Sequence, residues 1–181
     1  RQRQMCIRDS GKGEENEWSP EDLAEDLLTE SRTNGLIPEI KHDGGGRAFY
    51  RPGTDSIHMP ERTRFESAGA YYGTVFHEAI HSTGHSTRLD RGLDKNPVAF
   101  GSPVYSREEL VAEIGACFLM NQAGLEPDYQ NSSAYIEGWS KKLKSDKKLI
   151  ATASAQASKA HRWIIGAVSY THLRAHETEE N

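Results

Sequence analysis

The sequence predicts an α+β fold, mostly helical, with a small N-terminal β-sheet or hairpin. Three observations carry that expectation. Apolar residues recur at helical spacing in several long stretches between residues 19 and 166. Arg47 to Arg51 and Ser56 to Met59 read as two strands joined by Pro52-Gly53-Thr54-Asp55, a strong hairpin signal. The proline-free stretch from Phe65 to Gly84 carries His77-Glu78-Ala79-Ile80-His81, with its two histidines one helical turn apart.

The elements follow in order. Ser19 is the candidate N-cap of the first helix, with Pro20 at its first position, acids in its first turn and Leu23, Leu27 and Leu28 at helical spacing. It ends near Asn34-Gly35. Ile37 to Ile40 is short and extended, and His42 to Gly46 is a turn. That turn lacks the Lys-Ser/Thr ending of a phosphate loop, which argues against a nucleotide site. In the next helix Ser67 is the N-cap, Gly84 the stop, and Ala68, Tyr71, Tyr72, Val75, Phe76, Ala79 and Ile80 the apolar positions. Gly73 and Gly84 share a stripe with His77 and His81 and let a neighbour approach the histidine side. Ser86 to Tyr105 is long for a plain connection and is expected to rim a cleft, tied down by ion pairs of Arg88, Asp90 and Arg91. A helix from Ser106 to about Gln122 has a broad apolar side that includes Leu110, Val111, Cys117 and Phe118, with Cys117 in the core. Tyr135, Ile136, Trp139 and Leu143 mark a helix around 133–144. An alanine-rich helix then runs to about Gly166 on Ile150, Ala153, Ala157, Ala160 and Ile164, with His161 and Trp163 structural.

A chain of 181 residues is near the size of one domain and can bury a core. Its 27 acidic residues against 22 basic ones leave a net charge of −5, which argues against nonspecific nucleic-acid binding. The lysines between 141 and 148 read as a solvated helix junction. Two cysteines give no disulfide framework, and no signal peptide or membrane-spanning run is visible. A cytoplasmic, non-membrane protein is therefore expected. Residues 1–10 and 168–181 resemble translated adapter read-through from metagenomic sequencing, so they are read as non-native ends, His172 and His176 included. Residues 11–19 are then a linker and 20–167 the domain.

The H-E-x-x-H string carries the chemistry. On a helix His77 and His81 share a face and can hold one zinc ion, while Glu78 is placed to act as general base. A catalytic zinc needs a third protein ligand. In the metzincin string it is a histidine ten residues after the first, but that position is Thr87, and His85 lies beyond the helix end. Glu109 and Glu113, one turn apart on the following helix, suit one ligand and one acceptor that holds a histidine N–H. Ser106-x-x-Glu109 is also a capping box, Glu113 also suits a solvated position, and Glu108 competes by adjacency. Tyr105, His85 and His58, with Tyr71 and Tyr72, are the candidates for oxyanion or substrate contacts. Ser56 to Met59 is the candidate edge strand for an extended polypeptide substrate.

The Glu-x-x-Ala-Glu order of Glu109 to Glu113 resembles the second metal helix of gluzincin-type peptidases. This implies Glu109 as ligand and Glu113 as support for a histidine. A wider set resembles the zincin-like metallopeptidase domain of ArdC-type antirestriction proteins: Arg47-Ala48-Phe49-Tyr50, Tyr71-Tyr72, His77 to His85, Arg88-Leu89, Glu108 to Glu113, Ala134-Tyr135-Ile136 with Trp139, and Leu143 with Asp146-Lys147-Lys148. The resemblance implies a zincin-like fold, a mobile-element origin and a Zn2+ cofactor, or another divalent ion such as Mn2+. It also implies a separate N-terminal domain for single-stranded DNA, expected to be missing here. The function expected is zinc-dependent peptide-bond hydrolysis. The alternative is a catalytically silent metal-binding module of a single-stranded-DNA-binding antirestriction protein.

Overall fold

The computed structural model describes residues 21–43, 45–95, 103–126 and 147–166, with the backbone alone for 103–106 and 147. The helix expected around 133–144 and both chain ends lie outside the described residues. Helix α1 (Asp22–Thr33) has Glu21 as N-cap, without a side-chain cap, and Asp22 and Glu25 sit in its first turn, where the helix dipole favours acids. With Glu21 extended as the N-cap, the helix starts two residues later than the Ser19 cap and Pro20 first position that the sequence suggested. Ala24, Leu27 and Leu28 are buried, whereas Leu23 is 58% exposed.

Strands β1 (Glu39–His42), β2 (Phe49–Arg51) and β3 (Ser56–Met59) form one sheet in the order β1-β3-β2. The hairpin is present: β2 pairs antiparallel with β3 across a 3-10 turn at Pro52–Thr54, and Asp55 closes it in the left-handed region at φ 45°. The extended run before it pairs parallel to β3 as β1. This overturns the expected role of Ser56 to Met59. As the central strand, β3 already pairs on both sides and cannot add a substrate strand; the outer edges belong to β1 and β2.

Helix α2 (Ala68–Ser82) packs between the sheet and α3 (Pro103–Gln122), which also packs on α4 (Lys147–Ile165). Ser67 Oγ accepts the Ala70 N–H at 3.1 Å, the N-cap read from the sequence. Tyr71, Tyr72, Val75, Phe76, Ala79 and Ile80 are all buried, as befits a helix covered on two sides. Helix α3 begins at Pro103, so Ser106 and Glu109 lie inside it rather than at its N-terminus, where the alternative reading of a capping box would put them. Its buried apolar side chains include Leu110, Val111, Ala112, Ala116, Leu119 and Met120. Cys117 is exposed rather than in the core, and Phe118 beside it is 38% exposed. Along α4, Ala153, Ala157, Ala160 and Ile164 are buried, but Ile150 is 41% exposed. Trp163 Nε1 donates to the Leu36 carbonyl at 3.0 Å, and Ser31 Oγ to the Ile164 carbonyl at 3.2 Å, tying α4 to α1. Among the described residues no helix is long and apolar enough to cross a membrane.

Helices α2 and α3 approach each other tightly at Gly115. A Cβ there would lie 2.7, 2.8 and 3.0 Å from three side-chain carbons of the fully buried Ile80. Gly115→Val is therefore expected to destabilise the fold by about 1–3 kcal/mol. A thermal melt should show this as a midpoint lower by about 2–4 °C per kcal/mol; an unchanged midpoint would mean that the crossing is loose.

Candidate metal centre

Helix α2 presents His77 and His81 one turn apart with Nε2 atoms 3.1 Å from each other. Glu109 comes from α3, its Oε2 3.8 Å from His77 Nε2 and its Oε1 3.4 Å from His81 Nε2. One ligand atom from each of the three lies within 4.8 Å of the others. Donors about 2.1 Å from a tetrahedral ion stand about 3.4 Å apart, so the spacing fits. The other nitrogens face other acids of α3. His77 Nδ1 is 3.7 Å from Glu113 Oε1, and His81 Nδ1 is 3.3 Å from Glu108 Oε1. The three glutamates thus occupy different places, with Glu109 at the converging nitrogens and the other two behind the rings.

Charge argues in the same direction. Glu78, Glu108 and Glu109 are buried and Glu113 partly so, and Arg91 neutralises Glu108. So many carboxylates under cover favour a cation among them. Glu78 follows His77 on α2, and its Oε2 accepts the backbone N–H of Tyr50, in β2, at 2.8 Å. Tyr50 is itself fixed: its hydroxyl donates to Asp55 Oδ1 at 2.8 Å, and Arg88 Nη2 donates to the hydroxyl oxygen at 3.3 Å. Arg88 also clasps both Asp55 oxygens and donates from Nε to the Ser82 carbonyl at 2.8 Å, pinning the hairpin to the end of α2. Burial would raise the Asp55 pKa, but hydrogen bonds from Arg88 and Tyr50 outweigh it and hold Asp55 below the usual carboxylate range.

The remaining candidates have other partners. His58 Nδ1 lies 2.6 Å from Asp43 Oδ2 and its Nε2 3.0 Å from Ser56 Oγ, while its ring stacks on Phe49 within the sheet. His85 Nδ1 lies 2.8 Å from Thr87 Oγ1 and its Nε2 3.7 Å from Asp94 Oδ2, in the loop after α2. Tyr71 hydroxyl pairs with His42 Nε2 at 3.0 Å, and Tyr72 donates to Glu25 at 2.6 Å. The Tyr105 side chain lies outside the described residues. The loop after α2 is held by Arg88, Arg91 and an Asp90–Lys95 pair, as the sequence suggested. Gly84 gives the close approach expected of it, since a Cβ would meet Leu93 Cδ1 at 2.6 Å, but at Gly73 a Cβ would meet nothing within 4 Å. The sequence carried no sign of the Tyr50 N–H on Glu78, because a backbone donor leaves no mark in side-chain identity.

Burial works against a charged His81, but hydrogen bonds to Glu108 and Glu109 outweigh it and push its pKa up to about 10. A raised histidine pKa stabilises the fold fully below the ordinary value of 6.5 and loses that contribution as pH rises through about 10. A metal ion and a proton compete for this ring. Cation binding near neutral pH is therefore expected to release a proton and to tighten as pH rises. Calorimetry in two buffers of different ionisation heat checks this; identical heats would contradict it.

Residues 24–156 match the family model described as zincin-like metallopeptidase. A DNA primase TraC of Escherichia coli is 42% identical over 151 residues, covering 83% of this chain and 14% of that protein. The Mn(II)-bound crystal structure of the antirestriction protein ArdC from plasmid R388 superposes with a TM-score of 0.68 at 35% identity, covering 86% of this chain and 55% of that one. Its metal-free form gives a TM-score of 0.63 at 37% identity, covering 87% of this chain and 54% of that one. This chain thus spans about half the length of ArdC and a small part of TraC. The ArdC likeness matches the mostly helical fold with its three-stranded sheet, and the Mn(II) in that structure matches a site for a divalent ion. With most of its length covered by the family model, this chain belongs to the zincin-like metallopeptidase family.

Proposed function

We propose that this domain is a divalent-metal-dependent peptide hydrolase. The observation that supports it most is the convergence of both Nε2 atoms and the Glu109 carboxylate beside the buried Glu78. His77, His81 and Glu109 would hold the ion, with zinc the expected metal and manganese the alternative, since imidazole and carboxylate donors accept either. When bound, the ion supplies Lewis acidity, which acidifies water and polarises a carbonyl. Glu78 accepts the proton of the attacking water and returns it to the leaving amine. The Tyr50 N–H orients Glu78 by donating to its Oε2 at 2.8 Å. Glu113 Oε1, 3.7 Å behind His77 Nδ1, is the carboxylate placed to take that ring's N–H once the distance closes, which would leave Nε2 to bind. Polypeptide is the substrate class this reading assigns, with the outer edge of β1, rather than that of β2 whose Tyr50 N–H is already on Glu78, as the place for strand addition.

The names of the relatives, a DNA primase and an antirestriction protein, both longer than this chain, favour a second reading. In it the domain binds metal without hydrolysing peptides, and single-stranded DNA is met by another part of a larger protein. A peptide-library digest separates the two. Cleavage that stops with chelator and returns with added Zn2+ or Mn2+ supports the hydrolase. An intact library in the presence of metal-loaded protein supports the silent module.

A further inference from the structure

We propose that Arg91 and Glu108 are positioning residues for the metal centre, with Arg91 anchoring the carboxylate that accepts the Nδ1–H of His81 and so fixing Nε2 as the metal-facing nitrogen. The inference rests on His77, His81 and Glu109 as the metal-holding set. Glu108 Oε1 stands 3.3 Å from His81 Nδ1. Arg91 grips Glu108 with both arms of its guanidinium, Nε to Oε2 at 2.9 Å and Nη2 to Oε1 at 2.6 Å. Such a two-point grip fixes the plane of a carboxylate as a single charge cannot. Arg91 is tied in turn to the end of α2, donating from Nη1 to Thr83 Oγ1 and from Nη2 to the Ile80 carbonyl, each at 2.8 Å. The arginine is thus anchored to the turn of helix that carries His81.

The tautomer follows from the acid. A neutral imidazole has one N–H and one lone pair. With a carboxylate at Nδ1, the hydrogen stays there and the lone pair is at Nε2, which faces Glu109 and His77. Arg91 and Glu108 side chains are only 9% and 11% exposed, and a cavity of about 390 Å3 opens beside them, lined also by Leu89, Val111 and Lys159. Without Arg91 the carboxylate could turn toward that space and leave the ring. The loop folds closely enough to deliver Arg91 because Gly84 has no side chain; a Cβ there would lie 3.1 Å from Arg91 Nη2 as well as against Leu93.

The test compares Co2+ binding by the full chain, its Glu108→Gln and Arg91→Lys variants, and Asp94→Asn as a control. Asp94 ties the same loop through Ser86 without touching His81. Affinity is read by competition with a chromophoric chelator and geometry by the visible Co2+ spectrum. Both variants should bind about 10- to 100-fold more weakly, with a shifted spectrum, while Asp94→Asn keeps the affinity and spectrum of the parent. Variants that fold and match the parent in both readouts overturn the proposal and leave the metal site standing. A parent that binds no Co2+ overturns both. If the variants do not fold, 15N-histidine NMR of the Zn2+-loaded parent decides. A slowly exchanging proton on His81 Nδ1 supports the proposal, and one that exchanges as freely as on a surface histidine overturns it.

Discussion

Glu109→Ala is expected to abolish tight binding of a divalent ion. The carboxylate stands 3.4 and 3.8 Å from the two converging nitrogens, and among the described residues it completes the one His-His-Glu group that could hold an ion. Its removal should cost more than the roughly 10- to 100-fold typical of a group that merely supports a ligand. Glu113→Gln, which alters only the support behind His77, should stay within that range. Competition titrations with Zn2+ and Mn2+ on the two proteins check the order. A Glu113 variant that binds more weakly than the Glu109 variant would exchange their roles.

Glu78→Gln is expected to separate binding from chemistry. The amide can still accept the Tyr50 N–H through its oxygen, so local packing and metal affinity should stay within a few-fold, roughly, of the parent. An amide cannot take a proton from water, so hydrolysis of any peptide the domain cleaves should fall by about 10²- to 10⁴-fold. Parallel metal titrations and cleavage rates on the same preparations make the comparison. Equal cleavage rates would remove Glu78 from the role of base.

Much of this arrangement was legible in the sequence, for identifiable reasons. Helix α2 announced itself because its period, its Ser67 cap and its freedom from proline agree. The hairpin did so through Pro52 to Asp55, where Asp55 supplies the left-handed residue. The parallel pairing of β1 with β3 was not legible, because four residues pairing across a distant loop leave no local pattern. Cys117 and Phe118 misled because α3 buries residues against both α2 and α4, and a helix apolar nearly all round does not declare its outward row. Among the acids, spacing singled out Glu109 and Glu113 as sharing a side. Glu108, about 100° further round the helix, looked like a rival ligand. Only the fold revealed that it sits behind His81, where Arg91 meets it.

The two imidazoles belong to one helix and the three flanking acids to another that follows a long intervening segment. An ion seated between them would be a cross-brace from one helix to the other, and its loss would be felt as looseness between the two. Saturation at a thousand times the dissociation constant would add about 4 kcal/mol to the folded state. The availability of free metal would then set how long the molecule lasts as well as what it can do.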